Sequence, residues 1–98
     1  MERKIARLSY KQLLLLSILL SRQGKIWEVK EIEKKTGLKH KVLGGVLSSL
    51  SRTKLKQKPL IEPMGKSRLG PGLRWRLNLE GGEIKKISRY VGQLLETY

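Results

Sequence analysis

The chain has 98 residues and sets 22 Lys and Arg against 8 acids, every one of them Glu, for a formal charge of +14 and no Cys or Asp. That length fits one small domain, and the hydrophobic 39 % falls in patterned runs that argue against a disordered basic tail. Without Cys or Asp and with a single His, a disulfide framework, a thiolate metal site, a multi-histidine metal centre and a Ser-His-Asp triad are excluded within one chain, so the protein is read as a non-enzyme with no cofactor and no evident small-molecule substrate.

Ser9 followed by Gln12, with Leu8 and Leu13 flanking, forms a capping box with a hydrophobic staple and starts a first helix that is expected to run to Gly24. Leu13, Leu14, Leu15, Leu16, Ile18, Leu19 and Leu20 place apolar groups on nearly every side of it, so a second element must cover its other face. The run is far short of the ~20 residues that span a bilayer. Arg3, Lys4 and Arg7 precede it as they would a secretory signal, but Ser21-Arg22-Gln23-Gly24 offers no small-x-small cleavage site, and the chain is read as cytoplasmic.

Lys25 to Val29 alternates as a short strand does, and Lys30 to Thr36 reads as a second helix stopped by Gly37. From about Lys39, Val42, Leu43, Val46, Leu47 and Leu50 recur at three- and four-residue spacing and predict a third helix ending at Ser51-Arg52. Its opposite face carries Lys41, Gly44, Gly45 and Ser48, preceded by Lys39 and His40. Lys54, Lys56 and Lys58 then alternate in a linker, and Pro59 to Asn78 reads as a β-hairpin with a long tip, Leu73, Trp75 and Leu77 facing inward and Arg74 and Arg76 outward. Beyond Gly81-Gly82, Ile84, Ile87, Val91 and Leu94 or Leu95 mark one side of a last helix.

This order predicts a mainly α protein with a small β-hairpin. It is the order of a winged helix-turn-helix domain, α-β-α-α-β-β, over residues 1–80, with a C-terminal helix over 81–98 for packing or dimerisation. Val29-Lys30-Glu31-Ile32-Glu33-Lys34-Lys35-Thr36-Gly37-Leu38 resembles the second helix and turn of bacterial and archaeal winged-helix regulators: an aliphatic anchor, a closing Thr-Gly pair and a Leu that plugs the core. Val42 to Leu50 resembles their recognition helix and Pro59-Leu60-Ile61 the strand that leads into the wing; Lys39 stands where many relatives carry a capping Ser. In size and charge the chain also resembles small basic archaeal nucleoid proteins of this fold. The resemblance implies double-stranded DNA as the partner, a recognition helix at about 39–51 in the major groove and a wing at about 64–74 on the backbone or in the minor groove.

The cationic excess points the same way, since each Lys or Arg set against a phosphate releases condensed counterions. Half of it, +7, lies in residues 25–58. Lys39, His40, Lys41, Ser48 and Arg52 are the candidates on the recognition helix, Lys54 and Lys56 flank it, and Lys66, Arg68, Arg74 and Arg76 belong to the wing. Gly44 and Gly45 cost about 1 kcal/mol each relative to Ala in a helix interior, so a close approach of DNA or of a partner helix is one reason for them and a kink or an early helix end is the other. The face has no Arg, Asn or Gln at its centre, which favours phosphate contact over sequence reading. His40 lacks a second ligand for a metal, and Trp27 and Trp75 are expected in the core.

The all-round leucine helix and the terminal apolar stripe together predict a homodimer formed through the first and last helices, unless the two pack on each other within one chain. Two other functions compete with a DNA-binding regulator or low-specificity nucleoid protein. One is the same fold on structured RNA, and the other is a protein-interaction module that turns its charge toward an acidic partner; an anionic membrane is a weaker partner still.

Overall fold

Ser9 closes its capping box with Gln12: the Ser9 N–H donates to Gln12 Oε1 at 2.8 Å and the Gln12 N–H donates to Ser9 Oγ at 3.2 Å. The computed structural model describes residues 3–22 and 24–98, and His40 only in its backbone. A short helix, α1 (Arg3–Ala6), precedes that cap and α2 (Tyr10–Leu20) follows it. The second helix stops at Leu20, short of the expected Gly24, because the Ser21 N–H already folds back on the carbonyls of Ser17 and Ile18. Then come β1 (Ile26–Trp27), α3 (Val29–Thr36), α4 (His40–Arg52), β2 (Lys54–Leu55), β3 (Lys58–Pro59), β4 (Ile61–Lys66), β5 (Leu73–Leu77) and α5 (Gly81–Leu95). Together these elements make a compact mixed α/β domain, consistent with a winged-helix-like layout. No described helix is long and apolar enough to cross a membrane.

Helix α2 is central because its sequence leaves no polar side. Leu13, Leu15, Leu16, Leu19 and Leu20 are all buried. The α3–α4 pair and α5 both pack on it, and Gln12 Nε2 reaches Ser49 Oγ of α4 at 2.7 Å. The cover for its second face is therefore α5 of the same chain, through Ile84, Ile87 and Val91, and α1 packs in turn on α5 with Ile5 buried. The first and last of the expected helices thus pack on each other within one chain.

The sheet has the order β1-β5-β4, all antiparallel. Trp27 lies opposite Trp75, which in turn lies opposite Pro63, and both tryptophans are core residues at 2 % and 8 % exposure. A cation–π contact sets the Lys25 ammonium 4.4 Å from the Trp27 ring, while the same ammonium bonds Glu31 at 2.7 Å. That bond, with the Glu28 N–H, holds the Glu31 carboxyl below its usual range.

Three local expectations are corrected. Val42, placed in the core by its spacing, is 45 % exposed, since it lies at the edge of the apolar arc of α4. Leu73, assigned an inward position beside Trp75, is 39 % exposed at the end of its strand. The stretch of alternating lysines, for which a solvated linker was one of two readings, is a two-stranded ladder, β2 on β3, turning through Lys56 and Gln57 at φ 53° and 69°. Left-handed backbone strains both residues. Gln57→Gly is accordingly expected to raise stability by about 0.5–1 kcal/mol in urea unfolding, whereas Gln57→Pro should destabilise.

Candidate nucleic-acid interface

The turn between α3 and α4 is built from its own polar groups. Gly37 takes φ 77° and donates its N–H to Glu33 O at 2.8 Å; the Thr36 hydroxyl donates to Ile32 O at 2.7 Å and accepts from the Leu38 N–H at 3.1 Å. Leu38, half-buried, packs against the core, so the direction in which α4 leaves the turn is fixed. Lys39 stands at the N-cap of α4 with no side-chain hydrogen bond to the helix.

Leu43, Val46, Leu47 and Leu50 turn inward, which leaves Lys41, Gly45, Ser48 and Arg52 as one exposed stripe at the helical repeat, with Gly44 beside it. A Cβ added at Gly44 or at Gly45 would meet nothing within 4 Å. No packing inside the chain requires either glycine, and the helix runs through them without ending, so neither an early stop nor an internal neighbour accounts for them. The result is a slim face with a cation at each end. Lys39 is exposed ahead of it; the His40 side chain lies outside the described residues.

The β4–β5 hairpin, expected as the wing, is braced rather than free. The Glu28 carboxylate, just ahead of α3, accepts from Ser67 Oγ at 2.5 Å and from the Arg68 N–H at 3.2 Å, and Ser67 Oγ also accepts from the Leu69 N–H at 3.1 Å. Gly70 and Gly72, at φ 151° and 104°, carry the tip past Lys30 and Val29. Of the four wing cations, Lys66 and Arg68 are exposed, whereas Arg74 is half-buried and donates to Met64 O at 3.0 Å, and Arg76 pairs with Glu62. Arg74 and Arg76 thus hold the two strands together at the position where they were expected to face a phosphate backbone.

Lys54 has an exposed side chain, and its carbonyl accepts from Lys4 Nζ at 2.7 Å. Lys56 belongs to a different surface, since the β2–β3 turn aims it at Glu83 of α5, 3.5 Å away.

Folding the wing tip over the start of α3 leaves a groove of about 450 Å³ between α3, α4 and the wing. Val29, Leu43, Leu47, Pro71, Leu73 and Trp75 line it, and Gly44 and Ser48 open it toward the exposed stripe of α4. Its walls come from three stretches far apart in sequence; the one hint in the sequence was the crowding of glycines at 44, 70 and 72 on those stretches.

Comparison with protein-family models, with curated proteins and with solved structures found no match.

Proposed function

We propose that this protein binds duplex DNA as a winged helix-turn-helix domain, with α4 in the major groove and the exposed Lys66 and Arg68 of the wing on the backbone or in the minor groove. The observation that carries it is the pair of unneeded glycines on α4. Each costs about 1 kcal/mol relative to Ala, nothing inside the chain requires them, and they lie between Lys41 and Arg52 on the one helix that the Thr36-Gly37-Leu38 turn presents outward. A duplex that approaches the helix backbone between two phosphate-seeking cations accounts for both features.

The centre of the face carries Gly45 and Ser48 and no bidentate donor, so affinity comes from phosphates and groove shape more than from base edges. That is the behaviour of a low-specificity nucleoid-associated protein, or of a transcription regulator that reads shape. Fluorescence anisotropy with a random-sequence DNA duplex and a matched RNA duplex across a salt series tests it. DNA is expected to be preferred by about tenfold or more with a steep loss of affinity in salt, because the A-form major groove does not admit α4. Equal, weak and shallow binding to both duplexes would overturn the proposal.

The apolar groove favours a second reading, a protein-interaction module whose partner lays an apolar side chain against Leu43, Leu47 and Trp75. In that case nucleic acid binds no better than any polyanion of equal charge density.

A further inference from the structure

We propose that the exposed face of α5 is a second phosphate-binding surface, which takes the backbone of a second DNA duplex and lets one molecule bridge two. The inference rests on the DNA reading of α4 for the first duplex and on separate observations for the second.

Ile84, Ile87 and Val91 fix which side of α5 faces α2. The opposite side presents Gly82, Lys85, Lys86 and Arg89, all exposed, and a hollow of about 370 Å³ runs among them beside Tyr90. Nearby acids do not cancel these charges. Glu83 is engaged by Lys56 at 3.5 Å and Glu80 by Lys58 at 4.0 Å, so the β2–β3 hairpin neutralises the start of α5, and the ion pairs among the described residues include none of Lys85, Lys86 and Arg89. Glu96 follows Arg89 by roughly 10 Å of helix rise.

The chemistry of the face selects its occupant. The large exposed apolar side chains, Tyr10, Ile26, Val42, Leu69, Leu73 and Tyr98, all lie outside α5, and Tyr90 beside the cations is half-buried, so charge rather than an apolar anchor dominates the face. What it offers is cations one helical turn apart, about 6 Å, which is close to the roughly 7 Å between consecutive phosphates along a strand. A nucleic-acid backbone is recognised by charge and spacing alone.

Its position makes the site separate from the first. Helix α2 lies between α5 and the α3–α4 pair. Helices α4 and α5 therefore each pack on α2 by a separate face, and at ordinary packing distances their axes lie no more than roughly 16–20 Å apart. A straight duplex seated on α4 leaves α5 open.

The test uses the full chain, one bead-bound random-sequence DNA duplex and a second, fluorescent duplex in solution. Wild-type protein is expected to capture the second duplex at intermediate protein-to-DNA ratios. In K85E/K86E/R89E, whose three positions are exposed, capture should fall by about tenfold or more while anisotropy shows single-duplex affinity lowered by no more than about threefold. Unchanged thermal unfolding of the triple variant confirms that it is folded. Capture by the triple variant equal to that of wild type, or no capture by wild type at any ratio, would overturn the inference and leave the α4 proposal standing. Conversely, if K41E/R52E binds one duplex as tightly as wild type while the α5 triple loses it, the α4 proposal falls, bridging through α4 falls with it, and α5 is left as the DNA-binding surface.

Discussion

Gly45→Leu is expected to make the protein more stable and a poorer DNA binder, by about tenfold or more in Kd, which corresponds to roughly 1.4 kcal/mol. The two effects have separate causes and opposite signs. In the interior of α4 a glycine pays the full backbone entropy of the helix, and because a Cβ there meets nothing within 4 Å, Gly44→Ala and Gly45→Ala should each add about 1 kcal/mol in urea unfolding. Leu is nearly as good a helix former and gains the same relief. Its side chain, however, would project from the middle of the Lys41–Arg52 stripe, into the space that a duplex must occupy to bring its phosphates to both cations. Anisotropy at fixed salt measures the loss, and Gly45→Ala should fall between wild type and Leu. If the Leu variant binds duplex DNA as wild type does, α4 does not enter a groove. The same substitution would leave salt-bridge contacts at the wing intact, so the residual affinity should keep a clear salt dependence.

Local chemistry made much of this fold legible. The Ser9–Gln12 box, the Thr36-Gly37-Leu38 turn and the apolar spacing of α4 are interactions among residues within four positions of each other, and the sequence displays their residue types directly. The β2–β3 turn was hidden because it places Lys and Gln, where Asn-Gly is the usual signal, in left-handed backbone. Four-residue α1 has too few positions to display a period. On the site, the slim stripe on α4 was visible, while the state of the wing was not. Alternation put Arg74 and Arg76 on an outward face, but the cross-strand position of Glu62 beside Arg76 and the carbonyl of Met64 within reach of Arg74 depend on the register of two strands. The latch from Glu28 to Ser67 and Arg68 joins residues about forty positions apart. Charge counted along the sequence therefore overstated the free cations of the wing and passed over those of α5.

Trp75→Ala should produce the largest loss of stability among these variants, about 3–5 kcal/mol, out of a total that for a domain of this kind is on the order of 5–15 kcal/mol. Trp75 sits on the central strand of the sheet, faces Trp27 on one side and Pro63 on the other, and is 8 % exposed. Removing its ring opens a cavity between both neighbours and the helices and takes away one wall of the groove beside α4. Because β1 runs directly into Glu28, whose carboxylate holds the wing tip, loosening the Trp27–Trp75 pair disturbs the wing from its base and from its tip at once. Urea unfolding gives the energy, and amide hydrogen exchange should show β5 and the Arg68 N–H losing protection together. Trp75→Phe, which keeps a ring in the same position, should lose well under half as much and retain the latch. A loss below about 1 kcal/mol for the alanine variant would mean that the wing is held by its rim contacts, Arg76 to Glu62 and Glu28 to Ser67, rather than by the burial of Trp75. Under that outcome Glu28→Gln, and not a core substitution, would be the change that frees the wing and alters how Lys66 and Arg68 meet DNA.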